Sequence, residues 1–91
     1  MNRAIKDRVE TRLRRIEGQT RGILSMVEEN RYCIDILVQI QAARAALHKV
    51  EELILRDHIN HCVADALKSG SPVEHRAKVD ELIDVVSRIT K

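Results

Sequence analysis

The sequence predicts an all-α protein, a three-helix protomer with one long central helix. Three observations point there. Apolar residues recur every three or four positions along most of the 91 residues, the period of a helix with one buried face. Helix breakers are scarce, with one Pro and three Gly. Phe and Trp are absent and Tyr32 is the sole aromatic, so the core must be Leu, Ile, Val and Ala, which suits helix packed on helix.

The first helix is expected from about Asn2 to Glu28, with Ile5, Val9, Leu13, Ile16, Ile23 and Val27 as its apolar stripe. Arg8, Arg12 and Arg15 flank that stripe on one side; Arg3, Arg14 and Arg21 flank it on the other. EENR then breaks the chain, with Asn30 as N-cap of the next helix. The second helix is expected to run uninterrupted from Arg31 to about Lys68, with Cys33 at its third position. KSGSP ends it, and Ser71-Pro72-Val73-Glu74 reads as a capping box with Pro at the first helical position. The third helix is expected to bury Val79, Leu82, Ile83, Val86 and Ile89.

Residues 1–91 suffice for a single domain, with a core that is marginal unless something adds to it. The second helix supplies the reason to look for an addition. About 37 helical residues extend roughly 55 Å, whereas a compact chain of this length is about 30 Å across. Its own chain cannot wrap it, and a second copy is the simplest partner.

Charge is unevenly placed. The net +2 combines +4 over residues 1–22, from seven basic and three acidic side chains, with −2 over the remainder. A basic segment on a near-neutral body suits a polyanion, although a solvated helix face explains it equally well. The absence of a set of aromatics disfavours single-stranded nucleic acid. No run approaches the roughly 18 apolar residues of a membrane span, and MNRAIKDRVE lacks the apolar core of a signal peptide. A cytoplasmic protein is expected, its two cysteines kept as thiols suited to metal or redox chemistry. An enzyme is not expected, since no second acid–base group lies at a predictable distance from either cysteine.

RDHINHC holds the chemistry. His58 and Cys62 are spaced i, i+4 and share a helix face. On a wheel of roughly 100° per residue, both fall within about 20° of Cys33, alongside Ile36, Leu37, Ile40, Ala43, Leu47, Val50 and Ile54. Along the axis Cys33 and His58 are about 37 Å apart, so one unbroken helix cannot unite them. An antiparallel pair can, if the helices cross near the small residues of AARAAL. Cys33 of one subunit then faces His58 and Cys62 of the other. Two sulfurs and one imidazole suit Cu(I), or Zn(II) if a fourth ligand arrives. His61 is the available fourth, but lies about 100° from Cys62 on the wheel. The plain alternative is two buried thiols beside an ordinary histidine.

RLRRIEGQTRGILSMVEENRYCIDILVQIQAARAAL, followed by Ile54-Leu55-x-x-His58-x-x-x-Cys62, closely resembles the CsoR/RcnR family of bacterial metal-sensing repressors, most nearly its copper-sensing type. The resemblance covers nearly the whole chain. It implies an antiparallel helical dimer assembling into a tetramer, which binds double-stranded operator DNA without a helix-turn-helix and releases it when inducer fills an intersubunit site. It maps the copper-sensing ligands onto Cys33, His58 and Cys62, with Tyr32 and Glu81 matching outer positions that fix the histidine ring. Nickel and cobalt sensors add an N-terminal histidine, whereas the first histidine here is His48; formaldehyde sensors replace the last cysteine and carry Pro after Met, whereas here these are Cys62 and Asn2. Persulfide sensors keep both cysteines without the histidine.

The expected function is a Cu(I)-responsive repressor, with Arg8, Arg12, Arg14, Arg15 and Arg44 contacting DNA phosphates. The alternative is a reactive-sulfur sensor linking Cys33 to Cys62 of the partner subunit. A helical scaffold without ligand is the reading from a different class.

Overall fold

The computed structural model describes residues 1–68 and 70–89, and for Cys62, Val63, Ala66 and Leu67 the backbone alone. Helix α1 (Arg3–Glu28) starts after Asn2, whose side-chain oxygen accepts the Ile5 N–H at 2.9 Å. This cap satisfies one of the donors that a helix start leaves without a partner. At the other end the Asn30 N–H reaches the Val27 carbonyl at 3.1 Å and the Arg31 N–H the Met26 carbonyl at 2.9 Å. With Asn30 at φ 55°, this is a Schellman closure carrying Asn in the left-handed position.

Asn30 therefore ends α1 and does not cap the next helix. The left-handed backbone explains the correction, because an N-cap residue is extended. Helix α2 (Cys33–His58) accordingly begins two residues later than expected, and Cys33 is its first residue, not its third.

From Cys33 the backbone stays helical to Lys68, but not uniformly. Ile59–Val63 forms a π-turn, followed by the short α3 (Ala64–Lys68). The expectation of one regular α-helix fails here. Hydrogen bonds that reach one residue further admit an extra residue into the turn, and neither Gly nor Pro marks the place. The last helix opens as its capping signal predicts. Ser71 Oγ accepts the Glu74 N–H at 3.3 Å, and Pro72 is the first residue of α4 (Pro72–Ile89). Every element among the described residues is helical.

The chain divides into two compact units, Met1–Leu55 and Arg56–Lys91. In the first, Val9 and Ile16 of α1 and Val50 of α2 are buried, with Ile5, Ala46 and Leu53 packed against them. Helix α1 covers only that flank of α2. Leu37, Ile40, Leu47 and Ile54 remain exposed, on a stripe roughly 100° around the wheel from the covered flank. The single apolar face expected for α2 is thus two adjoining faces, one satisfied within the protomer. On α1 itself, Leu13 and Val27 are also exposed.

In the second unit the π-turn and α3 pack against α4. Of the residues expected to be buried on α4, Val79, Ile83 and Val86 are exposed, while Leu82 and Ile89 are half-buried. Their apolar pattern is real, but it marks a face left uncovered by this protomer.

Candidate metal centre

Tyr32 and Cys33 sit at the mouth of α2. The Tyr32 carbonyl accepts the Ile36 N–H at 3.2 Å and so makes the first bond of the helix. The phenol ring projects outward, 69% exposed, and the Cys33 thiol is free and exposed. Neither group is consumed by packing inside the protomer.

His58 closes α2 at its other end and meets α4. Its Nε2 lies 3.8 Å from Glu81 Oε1, and the second oxygen of the same carboxylate lies 3.9 Å from Lys78 Nζ. At 3.8 Å the imidazole and carboxylate attract one another without a direct hydrogen bond. The orientation matters chemically. With Nε2 turned to Glu81, Nδ1 is the ring nitrogen left for a metal, in the manner of carboxylate–histidine–metal arrangements. Glu81 stands beside His58, while the exposed Tyr32 lies just before the other end of α2.

Cys62 lies in the π-turn, and its side chain is outside the described residues. Among the described residues, no three His, Cys, Asp or Glu side chains gather into a metal-holding group within one protomer. The donor chemistry nevertheless fits a soft monovalent ion: an exposed thiol and an imidazole with one nitrogen facing a carboxylate.

One residue is not singled out by the sequence. Asp57 is 6% exposed, and its Oδ1 lies 3.3 Å from His61 Nε2. The signal is present in the i, i+4 spacing, which sets two helical side chains side by side. Charged pairs at that spacing are too common on helices to mark one. Burial is what distinguishes Asp57, and burial is not written in the spacing.

The basic residues fall into distinct places. Arg8, Arg12 and Arg15 line an open cleft of about 250 Å³ with Asp7 and Thr11. Arg12 and Arg15 also line a second cleft of about 230 Å³, with Ile16, Gln19 and Ala46. Arg12 is half-buried between them. Arg14 is exposed on the opposite flank of the α1 stripe, and Arg44 is exposed on α2. The sequence treats the two flanks of α1 as equivalent; the Arg8–Arg12–Arg15 flank carries clefts. Gln19 and Thr11 join this surface without being marked by charge.

Residues 5–88 match the model of a family described as metal-sensitive transcriptional repressor. The chain is 54% identical over 86 residues to the copper-sensing transcriptional repressor CsoR of Bacillus subtilis (strain 168), covering 94% of this chain and 82% of that protein. Its structure is similar to that of the copper-sensing repressor CsoR with Cu(I) from Geobacillus thermodenitrificans NG80-2, with a TM-score of 0.89 at 46% identity, over 100% of this chain and 92% of the other. It is also similar to the nickel-responsive transcriptional regulator InrS, with a TM-score of 0.75 at 40% identity, over 91% and 90% of the two chains. Regulators of different metals thus share these helices, and the fold alone does not choose the ion. The match along nearly the whole chain does settle the lineage: this chain belongs to the metal-sensitive transcriptional repressor family, in the CsoR/RcnR group that its sequence resembles.

Proposed function

We propose that the chain is a Cu(I)-responsive transcriptional repressor, acting as a homodimer or a higher homo-oligomer on double-stranded operator DNA. The observation that carries this reading is His58 with Nε2 turned to Glu81, on a chain that also offers Cys33 and Cys62. The two relatives described as copper-sensing support the choice of ion. Cys33 of one protomer, with His58 and Cys62 of a second, would hold the metal. When bound there, Cu(I) supplies a soft centre content with three donors.

The protein's own groups do the rest. Glu81 on α4 restrains the His58 ring at the end of α2, so engagement of Nδ1 is felt by both helices. Arg8, Arg12 and Arg15, with Arg14 and Arg44 as outlying charges, contact DNA phosphates and release counterions, which makes binding fall steeply with salt. A change in helix arrangement on metal binding alters the spacing of these groups. Coupling of about 1–3 kcal/mol per site suffices for a useful response.

The deciding experiment is an operator-DNA titration of the reduced protein, anaerobically, with and without Cu(I). Saturating Cu(I) is expected to weaken binding at least tenfold; unchanged affinity sinks the copper reading. The sulfur-sensing alternative needs only Cys33 and Cys62. In His58→Ala, a copper sensor loses its Cu(I) response and a sulfur sensor keeps its response to persulfide.

A further inference from the structure

We propose that Asp57 holds His61 out of the metal centre, so that the centre closes at three donors and rejects divalent ions that demand four. The proposal rests on the reading of Cys33, His58 and Cys62 as ligands and concerns what keeps a nearby imidazole from joining them. His61 is the obvious intruder. It lies three residues from His58 and adjoins Cys62 in sequence, it is 57% exposed, and imidazole is a good ligand for Zn(II), Co(II) and Ni(II).

The backbone turns it away. In a regular α-helix, three residues advance about 300°, which would leave His61 about 60° from His58. The π-turn at Ile59–Val63 winds less per residue, about 80–85°, so His61 falls about 110° from His58 instead. That is close to the line of Asp57, which stands about 100° from His58 on the same side. The observed contact agrees: His61 Nε2 lies 3.3 Å from Asp57 Oδ1, an ion-pair distance without hydrogen-bond geometry. Asp57 is the buried member of the pair, its side chain 5% exposed against 57% for His61.

The two histidines of this turn thus face different carboxylates. His58 faces Glu81 of α4, and His61 faces Asp57 of α2. A three-donor set of two sulfurs and one nitrogen satisfies Cu(I), whereas Zn(II) and Co(II) prefer a tetrahedral fourth protein ligand or water. Asp57 is on this account a specificity-determining residue that never touches the metal.

The test uses the full-length reduced chain with Cu(I), Zn(II) and Co(II) as probes. His61→Ala alone is expected to leave Cu(I) affinity, Zn(II) affinity and the Co(II) absorption spectrum unchanged. Asp57→Leu, similar in shape and without an acceptor, is expected to raise Zn(II) affinity at least tenfold and to bring the intense visible bands of tetrahedral Co(II). Adding His61→Ala to that variant is expected to abolish both gains. Weaker Zn(II) binding in His61→Ala alone overturns the proposal, as does a gain in Asp57→Leu that survives removal of His61, or no gain in a helical Asp57→Leu protein. If Asp57→Leu loses its helical circular dichroism, the His61→Ala arm decides by itself. A wild-type chain that takes up no Cu(I) overturns the copper reading and this proposal together; one that binds Cu(I) normally while His61→Ala loses Zn(II) overturns this proposal alone.

Discussion

Glu81 shares its two oxygens between His58 and Lys78, at 3.8 and 3.9 Å. Removing its charge while keeping its shape separates metal binding from metal response. Glu81→Gln is expected to retain one Cu(I) per dimer site with two sulfurs and one nitrogen, seen by X-ray absorption, because the ligands are untouched. Cu(I)-induced release from operator DNA is expected to weaken about tenfold, the lower end of what such outer partners typically contribute. An unchanged release would mean that the contact on α4 carries no signal. At this scale the proposed ligands are legible because Cys, His and Cys on one helical face are rare, and the resemblance adds Tyr32 and Glu81 as outer candidates. Asp57 is not legible, since its burial beside the π-turn is not written in the spacing.

Helix ends give predictions that do not depend on the metal. Ser71 Oγ holds the Glu74 N–H at the start of α4, and Ser71→Ala is expected to cost about 1 kcal/mol. Asn30 carries φ 55° at the end of α1, a conformation that costs ordinary residues about 1–2 kcal/mol. Asn30→Ala is therefore expected to destabilise the protein by about 1 kcal/mol. Urea denaturation of each variant at one fixed protein concentration measures both effects, since association contributes to apparent stability. The cap of α4 can be read from four residues, because Ser, Pro and Glu at those positions have one mechanical meaning. Asn30 is ambiguous in sequence because Asn serves both helix starts and left-handed helix ends. The π-turn has no signal at all, as Ile, Asn, His, Cys and Val are all compatible with a regular helix.

On the scale of the whole molecule, charge and apolar surface address different partners. Arg12 and Arg15 line two clefts of the first unit, so their substitution is expected to weaken DNA binding most. Removing one arginine–phosphate pair is expected to lower the slope of log affinity against log salt by about 0.9, measured by titrating Arg12→Ala and Arg15→Ala on one duplex at several salt concentrations. The apolar surface is the one proposed for a second copy. Leu37, Ile40, Leu47 and Ile54 form an exposed stripe on the helix that starts with Cys33 and ends with His58. If this stripe is the seam of an antiparallel dimer, one charge near its middle disrupts both assembly and metal binding without entering the protomer core. Leu47 is the site for that charge: it is 43% exposed, whereas Val50, one turn on, is 5% exposed and packs against α1. Leu47→Glu is expected to keep its helical circular dichroism and to sediment as a monomer. Its Cu(I) is expected to lose the second sulfur or the nitrogen, because Cys33 no longer meets the partner's donors. A monomeric variant that still bound Cu(I) through two sulfurs and one nitrogen would place all three ligands within one chain, and the intersubunit centre would fall.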